Sequence, residues 1–213
     1  KIENKKEQVK FSNYLQFFKS KSFVYLSLAS AMATFTLGGL AAWMPTYFNR
    51  FFNFSVAKAG TYFGTLIIIS GTLGAICGGF LADKLIKKTK RAYFYITLLG
   101  YALALPFALI GLLCASANIA IIFFGIAMSF VFLQTGALNS AIIDITSIKV
   151  RSMAFALNIF IIHALGDAIS PMIIGHISEM FNLHLAVFIA VIFLIPASIF
   201  CFMASKTFKG QEI

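Results

Sequence analysis

GGFLADKLIKKTKR, Gly78 to Arg91, decides the fold of this chain. A glycine-rich apolar run ends at Asp83, five basic residues follow, and a second apolar run begins at Ala92. Two membrane helices joined by a tight basic loop read this way, because Lys and Arg gather on the cytoplasmic side of a span. Outward from that loop the pattern repeats. No Asp, Glu, Lys or Arg occurs from Ala92 to Ile143, and about 20 apolar helical residues cross a bilayer core, so that run holds two spans. The sequence is 60% hydrophobic and 11% charged, with mean hydropathy +0.92, which is beyond what a soluble core needs.

Six spans follow: Phe23–Phe48, Ala59–Ala82, Tyr93–Cys114, Asn118–Ile143, Ser152–Ser178 and Leu185–Ser205. Spanning strands need only about 9–11 alternating residues, which these runs do not resemble. The expected fold is therefore an all-α membrane protein, a six-transmembrane-helix bundle. It divides into a basic linker over 1–21, the bundle over 22–206 and a tail over 207–213. Fifteen of the seventeen Lys and Arg fall on one side, and only Arg50 and Lys58 on the other. The positive-inside rule then places both ends of the segment in the cytoplasm.

The net charge of +10 does not indicate a nucleic-acid partner, because the basic residues sit at the ends of apolar runs without an aromatic-basic module. They serve as topology signals and contacts to membrane lipids. Cys77, Cys114 and Cys201 are isolated and read as small apolar fillers. With only His163, His176 and His184, neither a metal cluster nor a nucleophile with its base can be assembled. Neither an enzyme nor a cofactor is expected.

Span two carries Gly60, Gly64, Gly71, Gly74, Gly78 and Ala82 on one stripe, where a second helix can approach closely; the spacing suits static packing and a rocking contact equally. Span five holds His163 and Asp167 four apart on one face. Ser170 lies near them, and Pro171 cannot bond the Asp167 carbonyl. A charge at a helix centre costs about 2.5–3.5 kcal/mol on insertion scales, so this pair is expected to face a cavity or a partner. An imidazole beside a carboxylate can take up and release a proton. In span four Thr135 and Asn139 share a face with Gln134 to one side, and these polar groups are expected to line an amphipathic cavity. Spans three and six each carry a mid-span proline, Pro106 and Pro196. Trp43 and Tyr47 near the end of span one fit an aromatic belt. Arg151 is expected to anchor the start of span five, with Asp144 within reach.

Gly79-Phe80-Leu81-Ala82-Asp83-Lys84, with Lys87-Lys88, resembles the loop motif G-x-L-A-D-R-x-G-R-R of the major facilitator superfamily. Lys84 stands for the usual Arg, Ile86 for the second Gly and Lys87-Lys88 for the Arg pair. The resemblance implies that Asp83 braces the interface between two halves near a helix N-terminus, with Lys84, Lys87 and Lys88 around it. His163 to Glu179 resembles the eleventh helix of Spinster-type members, with its H-x-L-G-D-x-x-S-P-x-x-I-G pattern, and Arg151-Ser152-Met153-Ala154 resembles their R-S-x-A entry. This implies half of a twelve-helix fold, the C-terminal one, partnered by an N-terminal six-helix half. It also implies alternating-access, proton-coupled transport of amphipathic lipids such as lysophospholipids or sphingolipid-like anions, and location in a bacterial inner membrane. A major facilitator carrier for a sugar phosphate, peptide or drug is the alternative, because fold does not fix substrate. A six-helix homodimer is a third reading.

Overall fold

The structure, a computed structural model, describes residues 11–213, so the first ten residues of the expected linker lie outside the described residues. Six helices are long and apolar enough to cross a membrane: α1 Lys21–Phe52, α2 Val56–Ile86, α3 Ala92–Leu113, α4 Ala117–Ile145, α5 Arg151–Met180 and α6 Leu183–Thr207. Each overlies one expected span. The helices outrun their apolar runs where polar caps extend them. Ser20 Oγ accepts from the Phe23 N–H at 3.1 Å, Ser55 Oγ from Lys58 at 3.2 Å, and Asn182 Oδ1 from Leu185 at 2.8 Å. Such caps satisfy donors that the first turn leaves free. Asn53 closes α1 in the left-handed region at φ 55°, a conformation that Asn tolerates better than most residues.

Three of the six helices are interrupted. The break in α4 falls at Leu133, where the chain tightens and the Leu133 N–H bonds the Phe130 carbonyl at 3.2 Å. Glycines grip this point from both sides. A Cβ on Gly78 of α2 would collide with the Leu133 carbonyl oxygen, and one on Gly100 of α3 with the Phe130 carbonyl oxygen. Gly74 lies as close to the Ser129 carbonyl and the Phe132 side chain. The lower part of the glycine stripe is thus spent on packing α2 against α4, while a Cβ on Gly60 or Gly64 would meet nothing within 4 Å. The break in α6, at Phe193, precedes Pro196, which has no N–H to continue the ladder. Pro106 is accommodated inside an unbroken α3.

α1 is the centre of the bundle, packing on α2, α5 and α6, while α3 lies against α4 and α6. In the most apolar window of each helix, 61% of α1 is buried but only 22% of α2 and of α5. The open surface is therefore concentrated on α2 and α5. One end of the bundle collects the basic loops. There a short 3₁₀ helix, Phe11–Lys19, packs Phe17 against Phe23 with ring centroids 5.3 Å apart, and Phe94 meets Phe208 at 4.9 Å. Residues 207–213 fold back onto this end. Ser20 and Ser22 donate to the Glu212 carboxylate at 2.5 and 2.7 Å, and the Ser147 N–H donates to the Ile213 carbonyl. At the opposite end Tyr47 and His184 share a 3.0 Å hydrogen bond, and Lys58 sits 4.3 Å from the Phe54 ring centroid.

Candidate functional site

α5 does not run as one regular helix. Pro171 forbids the bond to Asp167, and Gly166 permits close approach by a neighbour. The backbone responds with a π turn over His163–Asp167, in which the Ala168 N–H reaches back to the His163 carbonyl at 3.1 Å. Single π turns recur at functional sites because they re-aim side chains within an otherwise regular helix. Here the turn presents His163 and Asp167 together. His163 Nδ1 lies 2.9 Å and 3.0 Å from the two Asp167 carboxylate oxygens. The two side chains are 57% and 38% exposed, and theirs is the one salt-bridge contact among the described residues, an ion pair when His163 carries a proton.

The turn is seated on α1 by small residues. A Cβ on Gly38 would strike the Asp167 Cα and Cβ, and one on Gly166 would come within 2.9 Å of Thr34 and 3.0 Å of the Ala31 carbonyl. Asp167 is thus held by its backbone while its carboxylate stays open. Nearby, the Trp43 indole N–H donates to the Pro171 carbonyl at 2.9 Å, and its ring covers Gly175. Trp43 is therefore a tether between α1 and α5 rather than only an aromatic belt residue. Replacing Trp43 with Phe removes one hydrogen bond across this seam. A loss of about 1 kcal/mol is expected, to be read as a lower unfolding temperature of the detergent-solubilised protein. Ser170 is fully buried with no partner for its Oγ, as are Asn158 Oδ1 and Ser27 Oγ.

The polar set expected in α4 divides at the Leu133 break. Thr135 and Asn139 are exposed on one face. Gln134 turns inward and accepts a hydrogen bond from the Tyr101 hydroxyl, so it ties α4 to α3. The loop motif occupies the basic end of α2. Asp83, Lys84, Lys87 and Lys88 are all exposed, and a Cβ on Gly79 would meet nothing within 4 Å. Ile86, in place of the motif's second glycine, costs no strain here. The chain leaves α2 through Lys87 at φ −65° and ψ −19°, and the Lys88 and Thr89 N–H groups both bond the Leu85 carbonyl. Arg151 donates to the Ile143 and Thr146 carbonyls at 3.3 and 3.4 Å. It caps the end of α4, where cations and donors are favoured, with Asp144 in electrostatic reach but not in ion-pair contact.

Apart from Gln134, Thr135 and Asn139 beside the α4 break, the site residues form two groups. One is at the basic end (Asp83, Lys84, Lys87, Lys88, Arg151), and the other is at the π turn about 20 Å along α5. Sequence reading missed Gly38 and Asn158. Gly38 stands in a Leu-Gly-Gly-Leu run that marks a close helix contact, and Asn158 is a lone amide in an apolar run.

Residues 1–171 match the sequence model of the Major Facilitator Superfamily. The sphingosine-1-phosphate transporter SPNS2 of Xenopus tropicalis is 29% identical over 82% of this chain and 37% of its own. Protein spinster of Drosophila melanogaster is 31% identical over 78% of this chain and 29% of its own. Among solved structures, a bacterial homolog of the human lysosomal transporter Spinster, inward-facing and unoccupied, superposes with TM-score 0.80 at 22% identity. That match covers 94% of this chain and 50% of the other. The chain thus spans about a third of the length of these curated relatives and half of the solved one. The six-helix bundle agrees with these matches, and the chain belongs to the Major Facilitator Superfamily, as a Spinster-type member.

Proposed function

We propose that this chain forms the C-terminal half of a twelve-helix secondary transporter that moves amphipathic lipids, of the lysophospholipid or sphingolipid-like anion class, by alternating access with proton coupling. The observation that carries the reading is the exposed His163–Asp167 pair at the π turn of an otherwise apolar helix. A membrane helix carries such a pair only at a cost, unless it faces a cavity or pathway. The open flanks of α2 and α5 supply the surface on which an N-terminal half docks and rocks. Thr135 and Asn139 line the path, and Ser170 stands behind the pair. At the basic end Asp83, with Lys84, Lys87 and Lys88, braces the closed state against the partner half, while Arg151 holds the start of α5. The basic end faces the cytoplasm of a bacterial inner membrane.

The test is flux of labelled lysophosphatidylethanolamine and of labelled sphingosine 1-phosphate into proteoliposomes holding the full two-half protein, with and without an imposed pH gradient. Gradient-stimulated lipid flux above empty vesicles is the expected outcome. Flux of a sugar phosphate or a dipeptide instead, with neither lipid moved, would keep the carrier and overturn its substrate.

A further inference from the structure

Two hollows lie end to end on the outer face of α2 and α3. The first is a slot of about 360 Å³, inside the roughly 300–1,000 Å³ range of ligand pockets. It is walled by Leu73, Cys77 and Leu81 of α2 and Leu99 of α3, and floored by Phe130 and Leu133 of α4. It exists because Gly74 and Gly78 draw α2 down onto the Leu133 break, while α3 packs on α4 more than on α2. The second hollow, about 180 Å³, continues from Leu81 to the membrane edge and is rimmed by Lys84 and Lys88. Neither lysine has an ionic partner among the described residues. α3 packs on α2, α4 and α6 and has no comparable contact with α1 or α5. The slot is therefore on the far side of the bundle from Asp167.

We infer that this groove is a binding site for one anionic glycerophospholipid, distinct from the transport path. The dimensions fit an acyl chain. Leu73 to Leu81 covers about 12 Å of helix axis, close to the ~15 Å half-thickness of a bilayer core. A chain lying in the slot brings the phosphate up to Lys84 and Lys88 at the interface. The charge there selects the occupant, because two unpaired ammonium groups at a leaflet surface favour a net-negative headgroup over a zwitterionic one. Lysines of the loop motif thereby gain a second role, holding a lipid that wedges α2 and α3 apart above the break in α4.

Native mass spectrometry of the full two-half protein tests this, with dioleoylphosphatidylglycerol and dioleoylphosphatidylcholine as probes. One tightly retained phosphatidylglycerol is expected, preferred over phosphatidylcholine by about thirtyfold, the worth of two basic contacts. The double variant K84Q/K88Q should lose that preference but keep weak binding of both lipids. K206Q, at the same end but outside the groove, should retain it. Cys77→Trp, which fills the slot without touching the lysines, should weaken both lipids and keeps the test decisive if the loop variant fails to fold. Equal retention of the two lipids by the wild type, or an unchanged preference in K84Q/K88Q, would overturn the site. Competition by glycerol 3-phosphate alone, as strong as that by the whole lipid, would reassign the lysines to a soluble anion.

Discussion

Replacing Asp167 with Asn is expected to reduce gradient-driven transport to the level of empty vesicles while leaving the bundle folded. The substitution keeps the shape of the side chain and so keeps the contact of its Cβ with Gly38. It also leaves an oxygen near His163 Nδ1, from which the carboxylate now lies 2.9 Å away. The contact lies within one helix, four residues apart, so altering it does not loosen the packing of α5 on α1. What Asn cannot do is exchange a proton. Downhill counterflow of labelled against unlabelled substrate should therefore survive in the variant while stimulation by the pH gradient disappears. A variant that still responds fully to the gradient would place coupling elsewhere than α5.

Gly78→Val should have the largest structural effect of any single substitution in α2. The new Cβ would be driven into the Leu133 carbonyl oxygen and toward its backbone carbon, and backbone cannot rotate aside as the tip of a flexible side chain can. Overpacking a core costs about 1–3 kcal/mol and occasionally more. A carbonyl clash at a helix break belongs at the upper end. Against the ~2–4 °C per kcal/mol typical of chains of this size, unfolding of the purified protein should move down by about 6–12 °C, and yield should fall. Gly79→Ala is the internal control. Nothing within this half meets its Cβ, so the same measurement should shift by less than about 1 °C. If Gly79→Ala proved as damaging as Gly78→Val, the stripe would owe its importance to composition alone and not to the grip on Leu133.

The number and order of the helices were legible in the sequence because the bilayer imposes them. A run must be about 20 residues long and free of charge, and six such runs with basic ends leave little freedom. The His163–Asp167 pair was legible for a similar reason, since two ionisable groups four apart in an apolar helix stand out on spacing alone. The interruptions were not. α4 breaks at Leu133, where Gly78 and Gly100 of two other helices close on the Leu133 and Phe130 carbonyls, and contacts of that kind leave no mark in the local sequence. Gln134 illustrates the consequence. A helical wheel sets it beside Thr135 and Asn139, but the break lets it turn inward to Tyr101, where the amide has a partner. The π turn escaped for the same reason. Pro171 signalled a lost hydrogen bond but not how the backbone would absorb it.

The clasp between Glu212 and Ser20–Ser22 joins positions about 190 residues apart in the chain. With an even number of crossings, the path enters and leaves on one side, and here the start of α1 touches the C-terminal tail. Such a unit behaves as a cassette. It can be copied in tandem, each copy inserting with the same polarity as the one before, and a short connector on a single side suffices to join them. The same closeness makes the bundle a natural substrate for circular permutation, with a few residues bridging the clasp and new ends opened in the exposed 87–91 loop. The order in which its helices are synthesised could then be changed without changing which of them touch.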